Sequence, residues 1–504
     1  MSNIVVSRQA SIRTFMFSTH AAKVLLLLGD LFALSLAFFL GRMGYWVWNG
    51  TSFMELSTAF VEWWGNKGEL RSLLFVLLSG VAVVWFLAFG HYSQRRPFWD
   101  ELQQILKVIV TLAIIDAALG FVGKWEFSRA WMISTWLLAL LLIPLMRVQI
   151  KKTLIRVGGW VRPTVVIGAV QNARAAAAAL WSEPLLGFDV IGFLAVAPRP
   201  GDNANTLPEY MEVNGHRIPV ITLGDDPELT LERLGNPHVV VALNFRASYE
   251  NQELLQRLSL RHHDINIVPP ISGLPLMGME VTHFFRHEVL LLRVRNNLSR
   301  SGAQFLKRSF DVFTSGFLLL LLSPIIGFII WQIRREDAGP AFLRQERVGR
   351  NGQLFKCLKF RSMVENADEV LAQWLQERPE VREEYSRNFK LRNDPRVTRV
   401  GKWIRATSLD ELPQLWNVFV GEMSLVGPRP LLARELPDYG DSINMYKEAR
   451  PGITGVWQVS GRSETTFADR INLDAWYVKN WCLWYDIVVL LKTVQVVLAR
   501  KGAY

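Results

Sequence analysis

Cysteine is nearly missing from this sequence: two in 504 residues, Cys357 and Cys482. A pair so far apart makes neither a disulfide framework nor a zinc-ligand pattern. A Walker loop, a His-Glu zincin motif and a Gly-x-Ser-x-Gly elbow are all lacking from the C-terminal third. A cleavable signal peptide is lacking too, because Met1–Thr19 holds Arg8 and Arg13 but no small-residue cleavage site after a short apolar run. Acidic residues are outnumbered by basic ones, 45 to 56, for a formal net charge of +11. Such an excess suits an anionic membrane surface or a phosphate-bearing substrate. No recognition helix, zinc finger or RNA-binding aromatic motif accompanies it, so nucleic acid is not expected as a partner.

What the chain has in quantity is apolar and aromatic surface: half its residues are hydrophobic and 19 are Trp. The length exceeds one ordinary domain. Four blocks, roughly Ala22–Leu40, Leu73–Phe89, Ile105–Val122 and Ala130–Met146, reach the length of about 20 residues that a bilayer-spanning helix needs. Arg8, Arg13 and Lys23 precede the first, Arg95 and Arg96 separate the second and third, and Arg147, Lys151, Lys152 and Arg156 follow the fourth. These positions share a side if all four blocks span, which places that side in the cytoplasm. Arg42 and Arg71 oppose this weakly. Asp30 and Asp116 lie inside spans, where an ionisable residue marks either function or a polar contact between helices. With nothing else converging on them, the helix contact is the better reading.

A fifth block, Val312–Ile333, is flanked by basic residues on both sides: Arg300, Lys307 and Arg308 before it, Arg334 and Arg335 after it. Both flanks are then expected to stay in the cytoplasm. Ser323-Pro324 interrupts the block near its middle, where proline removes a backbone donor and a Ser hydroxyl can satisfy the freed carbonyl. The expectation is a re-entrant helix–break–helix over 310–333 rather than a fifth span. Between the spans and this block, Thr164–Ile167, Val190–Val196, Val239–Leu243 and Ile265–Val268 read as buried strands, and Ala173–Trp181 and Glu250–Leu260 as helices. That alternation predicts a doubly wound α/β domain. Its first strand ends at Gly168 in GAVQNA, without the further glycines of a dinucleotide fingerprint, so a structural, dimerising or regulatory module is expected. Gly201–Leu207 and Pro269–Gly278 read as loops.

From Arg344 onward the chain is polar and basic, and its chemistry centres on Asp410-Glu411. Ser408 with Glu411 three residues later fits a capping box, the ordinary reading of acidic residues in a first helical turn. A helix N-terminus is also an anion site. Lys359 and Arg361 in KCLKFRSM, Arg405, and Arg429 between two prolines supply cations. A carboxylate among them can act as a nucleophile toward phosphorus or as a ligand for Mg²⁺. Phosphoryl transfer asks mainly for charge neutralisation and positioning. The terminal stretch Trp476–Leu498, with Trp476, Trp481, Trp484 and Tyr485, reads as an amphipathic helix at the membrane interface.

Ser323-Pro324, KFRSM (Lys359–Met363), NDPRVTRVGKWIRATSLDELPQLWNV (Asn393–Val418), MSLVGPRPL (Met423–Leu431) and RPGITGVWQVSGR (Arg450–Arg462) resemble the bacterial sugar transferase family, the monotopic polyprenyl-phosphate hexose-1-phosphate transferases. The whole layout is similar to the family's long form. The resemblance implies a membrane α+β protein of the bacterial inner membrane: a four-helix transmembrane domain over 1–150, a cytoplasmic Rossmann-like α/β domain over 151–297, and a catalytic domain over 298–504 on the cytoplasmic face. It implies transfer of a hexose 1-phosphate from a UDP-hexose to undecaprenyl phosphate with release of UMP, at the first membrane step of O-antigen or polysaccharide assembly. Galactose is the sugar expected, with a UDP-glucose enzyme of exopolysaccharide synthesis as the alternative. Asp410 is implied as the nucleophile that becomes a covalent aspartyl phosphosugar, Glu411 as its partner in holding Mg²⁺, and Lys359, Arg361, Arg405 and Arg429 as phosphate ligands. Asp474 matches a further substrate-site position. Membrane lipid and a second copy of the chain are implied as partners. A scaffold with a dead transferase domain is disfavoured by the intact motifs, and a transporter by four spans without an inverted repeat. The stretch Ala367–Leu391 is longer than in minimal members, with no role assigned.

Overall fold

The computed structural model describes residues 2–48, 69–124, 128–168, 171–196, 208–377, 382 and 391–498, apart from interruptions at 225, 262–264, 272, 278, 285–286, 295–296, 299, 338, 392–393 and 461–465. The loop expected at Gly201–Leu207 lies outside these residues, as do Asn393, Arg462 and much of Ala367–Leu391; a helix, Ala367–Glu377, begins that last stretch. The chain forms two compact units, Met1–Ile271 and Ser272–Tyr504. The segment 272–297, placed with the middle domain on sequence, is therefore compact with the C-terminal unit.

The first unit opens with helices α1 (Ser2–Trp48), α2 (Glu69–Ala88), α3 (Phe98–Val122) and α4 (Arg129–Arg156), each long and apolar enough to cross a membrane. They share one apolar core that includes Leu34, Phe86, Ile109 and Ile143. Their other faces leave residues such as Val76, Ile114 and Leu141 exposed, the pattern of a lipid-facing surface. The charged residues inside the spans pair with one another. Asp116 takes Arg71 and the Trp136 indole N–H, and Asp30 takes Arg147 at 2.6 Å and the Tyr92 hydroxyl at 2.6 Å. Both aspartates are thus contacts between helices, as expected. Arg71 is 1 % exposed. It is consumed by Asp116. Arg147 and Lys151 are likewise held by Glu101, at 2.9 and 2.5 Å. Arg95, in the turn before α3, donates to the Leu186 and Gly187 carbonyls beyond α4, at 2.6 and 3.0 Å. The turn after the second span and the domain after the fourth therefore lie on the same side.

That domain is an α/β layer. Strands β1 (Arg162–Ile167), β2 (Phe188–Val196), β3 (Tyr210–Val213), β4 (His216–Leu223), β5 (His238–Val241) and β6 (Ile265–Ile267) line up in the order β3-β4-β2-β1-β5-β6. All neighbours are parallel except β3–β4. The four expected strands are present. The β3–β4 hairpin was missed, although Asn214-Gly215 signals it: both residues take positive φ, 50° and 78°, as a tight hairpin turn requires. The chain reverses its winding between β1 and β5. There Gly168 (φ 133°) leaves no room for a side chain, since a Cβ would lie 2.6 Å from the Ala242 carbonyl oxygen. Asn172 on helix α5 (Gln171–Ser182) ties the same point to the Leu243 carbonyl at 2.9 Å.

The second unit begins with a hairpin, β7 (Glu280–Phe284) and β8 (His287–Arg293), followed by helix α6 (Ser301–Glu336). Helix α6 continues through Pro324 without a break in its assignment. The carbonyl that Pro324 cannot serve is that of Leu320, and it accepts the Ser323 hydroxyl at 2.8 Å. The expected role of the Ser is therefore observed, while the expected helix break is not. The two ends of α6 are stitched into the same body. Arg308 donates to the Val418 and Phe419 carbonyls at 2.6 and 2.7 Å, and Glu336 accepts the Arg399 and Val400 amides at 2.7 and 3.0 Å.

Candidate active site

An antiparallel hairpin, β9 (Phe342–Val348) and β10 (Leu354–Phe360), carries Lys359. Helix α7 (Arg399–Ala406) carries Arg405 and packs tightly on the segment after β10: a Cβ on Gly401 would lie 2.0 Å from the Ser362 carbonyl oxygen. Ser408 then takes positive φ, 55°, and turns the chain into a single 3-10 turn, Leu409–Glu411. The capping box expected of Ser408 and Glu411 does not form. A residue in the left-handed region cannot present its hydroxyl as an N-cap does, and Glu411 is engaged instead by Lys359, Nζ to Oε1 at 2.8 Å. The next helix, α8 (Gln414–Val420), follows directly, with Leu412 and Pro413 already in helical backbone geometry, so the dyad stands in the turn that leads into its N-terminus. Asn417 on α8 locks it to β10 by accepting the Leu358 amide at 3.0 Å and donating to the Lys356 carbonyl at 2.9 Å.

The carboxyl of Asp410 is pushed above its ordinary range by burial and then by Glu411, against the opposing charges of Lys359 and Arg405. Arg405 feels Asp410 and Asp394 in return, and its Nε donates to Ser362 Oγ at 2.8 Å. Lys359, Arg405, Asp410 and Glu411 therefore form one electrostatic group. Two residues not singled out from sequence, Asp394 and Arg396, adjoin it as a two-pronged pair at 2.8 and 2.7 Å. The only signal for them was their place in the Asn393–Val418 motif. Arg361 belongs elsewhere. It is buried against Asp337, donating to that residue's carbonyl at 3.1 Å, and it lies over Gly339, where a Cβ would come within 1.8 Å. It fastens the end of α6 to β10.

Arg429 and Asp474 form a second group. The parallel strands β11 (Ser424–Val426) and β12 (Gly452–Thr454) approach so closely that a Cβ on Gly452 would lie 2.1 Å from the Gly427 nitrogen. This contact sets the GPRP loop. Asp474, on helix α9 (Phe467–Lys479), accepts the Tyr439 hydroxyl at 3.0 Å and the Arg429 backbone amide. Burial raises its carboxyl to about 7. Asp486 gathers Lys307 (2.7 Å), Tyr477 (2.8 Å) and Trp481 (3.0 Å), joining α6 to the terminal helix α10 (Leu483–Leu498). Trp481 and Trp484 are core residues, 3 % and 8 % exposed, contrary to the interfacial role expected of them.

Among the described residues no three or more His, Cys, Asp or Glu side chains converge as a metal cage. Two adjacent carboxylates, one pushed up by the other, nevertheless fit a hard cation that completes its oxygen shell with substrate phosphates.

A helical membrane unit followed by a body that sets paired carboxylates among lysine and arginine defines a membrane-associated phosphotransferase. A family model described as bacterial sugar transferase matches residues 302–500, and one described as CoA-binding domain matches residues 87–269. An undecaprenyl-phosphate galactose phosphotransferase of Salmonella typhimurium is 44 % identical over 440 residues, 86 % of this chain and 89 % of that protein. The exopolysaccharide production protein ExoY of Rhizobium meliloti is 48 % identical over 198 residues, 39 % of this chain and 88 % of that one. A UDP-glucose:undecaprenyl-phosphate glucose-1-phosphate transferase of Escherichia coli is 30 % identical over 372 residues, 70 % of this chain and 73 % of its own. The chain belongs to the bacterial sugar transferase family.

Proposed function

We propose that this enzyme moves galactose 1-phosphate from UDP-galactose to undecaprenyl phosphate, as the first membrane step in assembling a surface polysaccharide. The observation that carries the reading is the Asp410-Glu411 turn held among Lys359 and Arg405. An Asp410 carboxylate oxygen attacks the sugar-bearing phosphorus, and the bond from that phosphorus to the UMP oxygen breaks. The lipid phosphate oxygen then attacks the same phosphorus and releases the carboxylate, giving the lipid diphosphosugar. Lys359 and Arg405 neutralise phosphate charge, and Lys359 orients Glu411. Asp410 and Glu411 would hold Mg²⁺, which supplies further charge neutralisation at the phosphates; excess chelator is expected to abolish turnover and Mg²⁺ to restore it.

The galactose assignment rests on the 44 % identity to the galactose phosphotransferase against 30 % to the glucose enzyme. The catalytic body sits on the cytoplasmic face, and α6, bent at Pro324 without separating into two helices, dips into one leaflet and returns. What supports this is that Arg308 and Glu336, at opposite ends of α6, both bind segments of one short stretch, Arg399–Phe419. A full span would carry those ends to opposite sides of the bilayer. UMP release across a panel of UDP-sugars tests the reading. UDP-galactose is expected to be preferred. Preference for UDP-glucose overturns the sugar, and no UMP from any donor overturns the reaction.

A further inference from the structure

Arginine is concentrated beside the second group with too little negative charge to balance it. Arg470 lies on α9 one turn before Asp474, with its guanidinium 5.2 Å from the centre of the Trp457 ring. The Arg429 guanidinium lies 6.0 Å from the same ring. Arg347, near the end of β9, donates to the Pro430 carbonyl at 3.2 Å and to Gln345 Oε1 at 2.7 Å, and so ties the GPRP loop to β9. Its own charge is disfavoured first by burial and then by Arg429. The counter-charges are few. Glu435 stands 3.8 Å from Arg429, at the limit of an ion pair, and also accepts the Leu432 amide at 2.8 Å. Asp474 is committed to Tyr439 and the Arg429 amide. The Nε of Arg470 is buried with no hydrogen-bond partner among the described residues.

Arg347 faces the charge of Arg429, and Arg429 and Arg470 flank one indole; gathering such cations in partly buried surroundings costs free energy unless an anion arrives to share them. The forked donors of arginine suit phosphate oxygens, and stacking on an indole fixes the fork's plane. We infer that Arg470, with Arg347 and Arg429, forms a second phosphate subsite beside the dyad, distinct from the group around Lys359 and Arg405. The inference rests on the proposed reaction, in which two phosphates besides the transferred one visit the site. One is the phosphate of UMP and the other that of the lipid acceptor. The hairpin relates the two groups. Arg347 pairs with Phe355 on β10, four residues from Lys359 on the same face, about 13 Å along a strand. Long side chains converging from both positions can grip neighbouring phosphates of one substrate.

Arg470 is the residue to test, because its guanidinium lies over the Trp457 ring rather than on the backbone of the loop. In the full-length protein in lipid nanodiscs, Arg470→Gln keeps the length and drops the charge. If the subsite takes the nucleotide phosphate, UMP binds about tenfold more weakly while uridine binding is unchanged. If it takes the lipid phosphate, UMP binding is unchanged and KM for undecaprenyl phosphate rises about tenfold. Arg470→Lys recovers most of either loss. In the unaltered enzyme, UMP or undecaprenyl phosphate slows phenylglyoxal labelling of Arg470, a readout that needs no variant to fold. The subsite is overturned if UMP and uridine weaken together, if only kcat falls, or if neither ligand protects Arg470. UMP binding and protection are read without turnover. An enzyme that releases no UMP from any donor therefore refutes the reaction while these measurements still judge the subsite.

Discussion

At the scale of single residues, the cluster around Asp410 was legible because acidic pairs set among spaced basic motifs are uncommon outside phosphate chemistry. Lys359, Arg405, Asp410 and Glu411 do interact as one group. Arg361 stands apart from that group because sequence spacing cannot say which side of a strand end a residue takes, and here the Asp337 carboxylate pairs with it at 3.3 Å. Asp410→Asn removes a charge and little volume, so it is expected to abolish turnover while leaving insertion and folding intact. A phosphosugar adduct trapped on another residue would refute the assignment. Because burial and Glu411 raise the Asp410 carboxyl, the rate is also expected to fall on the acid side at a pH above that of an ordinary aspartate.

Asp474 gives a pH prediction of the opposite kind. Its folded carboxyl is raised from 3.8 to about 7, so the native state binds the proton more tightly than the unfolded chain does. Stability from this group is therefore full below about pH 4 and is lost as pH rises toward 7. Tyr439 and Arg429 are the groups that face it. Asp474→Asn mimics the neutral form and is expected to shrink the fall in melting temperature between pH 5 and pH 8. An unchanged fall in the variant would show that Asp474 titrates normally.

At the scale of elements, helices and parallel strands followed from apolar periodicity, and the spans followed from length. The turns were harder. The capping box at Ser408 failed because φ at that residue is positive, a backbone state that local composition does not announce. At the Trp-rich end Trp481 and Trp484 depart from expectation, because aromatic residues serve a core as readily as an interface and Asp486 draws Trp481 inward, while Trp476, Leu491, Val494 and Leu498 stay exposed. For α6 the two proposals available, span or re-entrant, separate by access. Cysteines placed near Lys307 and near Asp337 are expected to be labelled from the cytoplasm alone. Replacing Ser323 and Pro324 by Leu is expected to shift part of the C-terminal labelling to the periplasm and to lower activity. Periplasmic labelling near Asp337 in the unaltered protein would establish a span.

At the scale of the whole molecule, the order of parts was readable: apolar blocks, alternating strands and helices, then a basic body. What sequence did not convey is where compactness divides, since 272–297 has no composition change to mark its allegiance. The polar contact expected of Asp116 was readable but its partner was not, because Arg71 and Asp116 lie 45 residues apart and meet only through helix packing. Within this arrangement the central claim is that a phosphosugar, and not a bare sugar, passes to the lipid. UDP-galactose carrying tritium in the sugar and radioactive phosphorus at the β position, incubated with membranes holding the enzyme and undecaprenyl phosphate, tests it most directly. The account predicts that both labels enter the organic phase in equal proportion and that unlabelled UMP appears in the aqueous phase. Tritium in the lipid without β-phosphorus, with labelled UDP left behind, would contradict it.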